Sequence, residues 1–342
     1  MKPQKFMTAA LGLVLVAMIA GTAQSALVIP TVLVGDAGNS ADSTGFGAVS
    51  YEYQIGKYEV TLAEYTAFLN AVAATDTYNL YMPNMATDLN IAGISRSGSS
   101  GSYSYSVIGG GNRPVTWVSW FDAARFANWM NNGATIGAST ETGAYTLNGA
   151  TSGVILKNPG ASWWIPSENE WYKAAYYKGG GTNAGYWQYP TQSNSAPGNI
   201  VGSGVNQANY AVWNGSAWVY SVTQSSYSGG QNYLTDGGAY SISGTYYGTY
   251  DQGGNVAELN DAVIFVTARG VRGGSWLESG TFLQSSERSP TNASNEYSSV
   301  GFRLATVAGS SAVPESGQVA ASGVLLVGGG LYWLVRRRKA KA

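Results

Sequence analysis

Three oxygen-bearing side chains, Asp251, Asn255 and Glu258, stand within eight residues of one another around the pair Gly253-Gly254. Paired glycines permit backbone conformations closed to other residues and let another chain segment or an ion come close. Clustered oxygens on a glycine-kinked loop suit a hard cation such as calcium. A tight turn whose polar groups bond their own backbone accounts for the same residues, and both readings stand at this point. A companion stretch, Val271-Arg272-Gly273-Gly274-Ser275-Trp276, comes within twenty residues.

The chemistry open to these residues is narrowed by what the chain lacks. It has 342 residues with no cysteine and no histidine. That excludes disulfides, thiolate nucleophiles and Ser-His-Asp triads. Zinc, copper and non-haem iron sites built on thiolate or imidazole are excluded too, which leaves oxygen-ligand metals. Charged residues make up 11% of the chain, whereas Gly (46), Tyr (24) and Trp (11) abound, so a loop-rich fold held by aromatic packing is expected. Seven of the 18 basic residues lie in the two ends, and without them and Glu315 the remainder carries a net charge of −7. A nucleic-acid partner needs a basic face and is not expected.

Three helices must position the polar loops. Thr61-Leu62-Ala63-Glu64 is a capping box, with Tyr65, Phe68, Leu69 and Val72 following at helical spacing. Ser119-Trp120-Phe121-Asp122 opens a second helix, which runs to about Met130 and stops at Asn131-Asn132-Gly133. Ser167 and Glu170 open a third, through Tyr176, ending at Gly179-Gly180-Gly181. Tyr53 and Ile55 fit a strand, with Tyr58 and Val60 as candidates to extend it, and 27–50 reads as a short strand and an ordered lead-in. Residues 75–111 have no period and predict a long loop. Residues 143–156 alternate as a hairpin turning at Asn148-Gly149. Few helices, short strands and long structured loops predict an α+β domain.

The motifs also form an ordered series. Val60-Thr61 is followed by Arg113-Pro114-Val115-Thr116-Trp117-Val118-Ser119-Trp120, and then by Trp164-Ile165-Pro166-Ser167-Glu168-Asn169-Glu170-Trp171. Tyr250-Asp251-Gln252-Gly253-Gly254-Asn255-Val256, Arg272-Gly273-Gly274-Ser275-Trp276 and Val300-Gly301-Phe302-Arg303-Leu304 complete it. This series resembles the sulfatase-modifying-factor domain of the formylglycine-generating-enzyme type. The resemblance covers about Tyr51 to Thr306, so 51–306 is expected to be one domain, with 307–312 a linker. It implies an irregular, loop-rich α+β fold of the C-type-lectin-like kind.

Function does not follow from fold. Aerobic members of that type bind copper and activate oxygen with two cysteines after the Gly-Gly-Ser motif, and those positions fall here on Glu278 and Leu283. A related sulfoxide-forming branch holds iron with histidines, and tryptophans flanking the family's glycine loop are replaced by Ala257 and Leu259. The resemblance therefore implies the scaffold without its redox centre, and no copper, haem or nucleotide is expected. It implies a structural calcium held by Asp251, the carbonyls of Gly254 and Val256, and Glu258. A second calcium maps onto Asn209 and Tyr210, with Asn214 and Ser216. Ser275, Trp276, Glu278, Glu287 and Arg288 are expected to line a pocket near the family's active site. There Arg288 with Glu278 holds a polar ligand, or Arg272, Arg288 and Arg303 pair with buried acids to pin loops. The expected function is a non-catalytic, calcium-stabilised binding or structural module. The alternative is an enzyme of the same superfamily working through carboxylates, Glu278 with Asp251 or Glu258, on an unknown substrate.

The two ends read as addresses. Lys2 and Lys5 precede an apolar run from Phe6 to Ala20 and then small residues, which predicts a signal peptide over 1–26; an uncleaved anchor is the alternative. Val313-Pro314-Glu315-Ser316, an uncharged stretch from Gly317 to Val335 and Arg336-Arg337-Arg338-Lys339 together resemble a PEP-CTERM sorting signal over 313–342. That resemblance implies processing by an exosortase-type membrane protease and transient membrane association through 317–335. A plain membrane anchor is the alternative. Export to the cell surface, outer envelope or extracellular matrix is implied, with an extracellular polysaccharide or a surface protein as the expected partner.

Overall fold

The computed structural model describes residues 27–309, so the signal peptide and sorting signal read from the sequence lie outside the described residues. Strand β1 (Thr31–Val34) pairs antiparallel with β2 (Tyr53–Gly56), which brings the lead-in segment into the first sheet. Three capping boxes then start the three long helices: α1 (Leu62–Val72), α3 (Trp120–Asn131) and α4 (Glu168–Tyr176). In each, the cap hydroxyl accepts the N3 amide, and the N3 carboxylate accepts the cap amide in return. Each cap is worth about 1 kcal/mol, enough to fix where a helix begins. α4 runs through Tyr176 as expected, but its stop is the extended backbone at Tyr177 and not the glycine triplet beyond.

Residues 75–111 also depart from the expected long loop. They hold a single helical turn, α2 (Asn84–Thr87), and a hairpin of β3 (Ile94–Ser97) and β4 (Ser104–Val107). Tyr105 alone of the β4 side chains is buried, and Ser and Gly hide the alternation. Asn148-Gly149 does turn, with φ of 48° and 86°. Its flanks form no ladder, however, and make only an isolated bridge between Tyr145 and Lys157. The reason is local: the Glu141 carbonyl accepts the amides of Leu147 and Asn148, and its carboxylate accepts that of Gly149 at 2.7 Å.

Two four-stranded sheets organise the rest. The first runs β1-β2-β12-β5, where β5 is Trp163–Trp164 and β12 is Ala305–Val307, so the last strand lies inside the sheet. The second runs β10-β9-β8-β11, from β8 (Ala257–Ile264), β9 (Ala268–Arg272), β10 (Ser289–Asn292) and β11 (Val300–Phe302). Its β8–β11 pair is parallel. A small hairpin, β6 (Ala211–Trp213) with β7 (Trp218–Tyr220), stands apart. Between helices and sheets, Tyr65, Phe68, Phe126, Trp129 and Phe302 pack ring on ring at 5.3–6.5 Å between centroids. Such pairs contribute about 0.5–1.5 kcal/mol each beyond their buried area.

Candidate functional site

The glycine loop lies immediately before β8, and its conformation is set by another chain segment. Gly254 has φ of +84°, and a Cβ there would sit 2.2 Å from the carbonyl oxygen of Asn209. The Asn255 amide donates to that same carbonyl at 2.8 Å. Asn255 then works as a hub: its Oδ1 accepts from the Asn209 side chain and the Thr235 amide, and its Nδ2 donates to Glu59. Asp251 accepts the Gly238 amide at 2.6 Å, and burial raises its carboxyl to about 6. Burial, with Asp251 beside it, also holds Glu59 well above the usual carboxylate range.

Glu258 is fully enclosed and already has a cation. Arg303 donates to both of its oxygens at 2.6 Å through Nε and Nη2, and Trp171 Nε1 donates to one of them at 2.8 Å. Arg303 spends its remaining donors on the carbonyls of Gly56, Lys57 and Tyr250. This ion pair, with the indole bond, thus ties together α4, the glycine loop with the strand that follows it, and the Gly-Phe-Arg motif. A calcium ion on this loop would need a Glu258 oxygen that the guanidinium and indole now occupy. Among the described residues, no group of three or more acidic side chains is arranged to hold a metal. The donor set as read from the sequence does not fit that ion.

The second set does not converge either. Asn209 is buried and donates to the Tyr233 carbonyl, while the Tyr210 hydroxyl donates to the carbonyl of Pro197. Asn214 and Ser216 sit at the exposed tip of the β6–β7 hairpin, where the Asn214 Oδ1 accepts from Ser216 and Ala217.

The pocket residues divide into two groups. Glu278, Glu287 and Arg288 line one cavity of about 200 Å³ with Arg272, Phe282 and Tyr297. That is below the roughly 300–1,000 Å³ of a small-molecule site and suits one side chain or one small polar group. Ser275 lies behind the wall and donates to Glu278 at 3.1 Å, while burial pushes the Glu278 carboxyl up. Trp276 faces elsewhere, stacked on Tyr233 at 4.9 Å and 4° and packed with Tyr220. Leu283 is fully buried with Tyr189, Ala208 and Tyr210. A carboxylate and a buried aliphatic side chain do not fit a thiolate-held copper.

Glu168 is the residue the sequence did not single out. It opens α4 and accepts from Arg272 Nε at 2.7 Å and from Arg288 Nε and Nη2 at 2.7 Å each. Arg272 also donates to the carbonyls of Ser285 and Glu287, so the cavity's two arginines pin its own walls. The advance signals were its place in the Trp164–Trp171 motif and in the first turn of a capped helix, and neither names a partner.

These motifs and their geometry have a counterpart among known families: residues 37–308 match the sulfatase-modifying factor enzyme 1-like domain. The chain belongs to this sulfatase-modifying-factor family. Solved structures similar to this sulfatase-modifying-factor domain include CarF, at 21% identity over 82% of this chain and 98% of that one, with a TM-score of 0.47. Treponema denticola variable protein 1 is similar at 20% identity over 81% and 94%, with a TM-score of 0.45. PvdO from Pseudomonas aeruginosa is similar at 18% over 82% and 93%, with a TM-score of 0.42. A comparison with curated proteins gives no match. The irregular α+β fold expected from the sequence is the one observed, with few helices, short strands and one domain.

Proposed function

We propose that this chain is a non-catalytic member of the sulfatase-modifying-factor family, acting as an exported binding or structural module. The observation that carries this reading is the pair of positions where family cysteines are expected: Glu278 faces a cavity and Leu283 is sealed in an apolar cluster. No thiol or imidazole exists elsewhere in the chain to take over. Both of the cavity's arginines pair with Glu168, which supports a role for them in holding its loops. In this reading Arg303 supplies the positive charge that fixes the glycine loop, and the module needs no bound cation to fold. The ends carry it to the cell surface or matrix, with an exosortase-type protease as the agent of processing and a polysaccharide or surface protein as the partner.

The test is a direct assay of the purified full chain with a cysteine-containing peptide, with and without added copper. No aldehyde and no oxygen uptake are expected; peptide aldehyde formed in proportion to enzyme would overturn the reading.

One observation favours a second reading, an enzyme that works through carboxylates. Glu278 has its carboxyl raised by burial and shares a cavity with Glu287, and a perturbed acid in a cleft is a mark of catalytic sites. Hydrolysis of glycoside or ester substrates that disappears in Glu278→Gln but survives in Glu287→Gln would move the assignment to it.

A further inference from the structure

The turn joining β8 to β9 is built against ordinary preference. Phe265 has φ of 54°, a left-handed conformation that Asn or Gly adopts readily and a bulky aromatic does not. Its ring gains nothing from the fold in return, because Phe265 is 82% exposed and the next residue, Val266, is 83% exposed. Adjacent large apolar side chains left almost wholly exposed at a hairpin tip mark a surface made to be covered.

The tip is part of a larger patch. Val263 stands opposite Arg269 across the hairpin, and Arg269 Nη2 donates to the Ile155 carbonyl at 2.6 Å, which fixes the neighbouring loop against it. That loop presents Leu156 at 70% and Val154 at 42% exposure. The next residue, Lys157, lies over the Trp164 ring and lines a mostly apolar hollow with Tyr51, Val307 and Ala308. Val307 ends β12, so the chain leaves the domain beside this patch.

The sequence beyond that exit chooses the occupant. Residues 310–316 separate the domain from the uncharged stretch 317–335, which is followed by four basic residues. Eight steps from 309 to 317 reach no more than about 30 Å even when fully extended. We propose that the hairpin tip Phe265-Val266, with Val154 and Leu156, is a lipid-contacting surface that lays the domain against the bilayer entered by its own tail. The proposal rests on the reading that 317–335 enters a membrane. Aromatic and aliphatic tips beside a lysine suit the boundary between headgroups and acyl chains.

The chain has no cysteine, so a single introduced thiol can be labelled without background. Three full-length variants, Val266→Cys, Ser226→Cys and Ser322→Cys, are labelled with an environment-sensitive fluorophore. They are then reconstituted into phosphatidylethanolamine–phosphatidylglycerol vesicles carrying nitroxide lipid. The expected result is a blue shift and loss of emission at 266 and 322 with neither at 226, and loss of the 266 effect when Phe265→Asp is added. Quenching at 322 with none at 266 would overturn the proposal and leave the tail reading intact. Quenching at neither would remove the tail reading and the proposal with it. A blue shift at 266 that grows with protein density in the vesicles and is not quenched would give the patch to a second copy of the chain and overturn it.

Discussion

Replacing Glu258 by glutamine tests the ion pair that joins three separate motifs. Glu258 and Arg303 are both at most 1% exposed, and two hydrogen bonds of 2.6 Å link them. The amide keeps the shape but removes the charge, leaving a guanidinium buried against the carbonyls of Gly56 and Tyr250. Breaking such a pair from one side costs about 3–5 kcal/mol. Here the lower end is expected, because Glu59 and Asp251 lie close enough to act on Arg303 and either can ionise to compensate. At about 2–4 °C per kcal/mol for a domain of this size, the melting temperature of Glu258→Gln should fall by roughly 6–12 °C. The Glu258→Met/Arg303→Met pair should lose much less than the sum of its single changes, as a coupled buried pair does. Thermal melting followed by circular dichroism, with and without a calcium chelator, reads both. Wild-type protein whose melting drops several degrees with chelator and recovers with calcium would refute the reasoning, since Glu258 would then be serving a metal. A Glu258→Gln protein that melts like wild type would refute it from the other side.

Other outcomes rest on the same geometry. Gly254→Ala places a Cβ 2.2 Å from the Asn209 carbonyl at a φ of +84°, and should cost at least about 2 kcal/mol, read by urea denaturation. Glu296 has its carboxyl raised to about 8, by burial first and then by Asp122 and Asp76. The folded state therefore holds a proton that the unfolded chain releases near pH 4, so stability should decline as pH rises from about 4 through about 8. Glu296→Gln should flatten that decline in melting curves taken across the range. Glu168→Gln removes the negative charge and one of the two acceptor oxygens shared by Arg272 and Arg288, and should loosen the walls of the small cavity. Faster amide hydrogen exchange over 272–289 would register it, with α1 and α3 unchanged.

Much of the scaffold was legible because its signals are local. Three capping boxes placed three helices, since a cap and its N3 acid are only three residues apart and bond each other. The hairpin at 94–107 escaped notice because Tyr105 is the one large buried side chain of β4. The hairpin foreseen around Asn148-Gly149 did not form, although its turn did: the Leu147 amide goes to the Glu141 carbonyl, and the Ala150 carbonyl it would have met accepts from Arg125. The site was legible in position but not in pairing. Arg272 and Arg303 stood out as motif residues, yet their partners Glu168 and Glu258 lie 104 and 45 residues away. Acids near a glycine loop look alike whether they await a metal or an arginine, and only the folded chain separates the two. Trp276 illustrates the same limit, because a motif fixes its neighbours in sequence and leaves open the face on which its ring lies.

The order β1-β2-β12-β5 sets a timetable for the nascent chain. Because β12 is hydrogen-bonded on both flanks, β5 has no partner and β2 has only β1 until residue 307 is available. A ribosome that still holds that residue therefore holds an incomplete first sheet. That sheet can therefore be completed only once nearly the whole domain has been made.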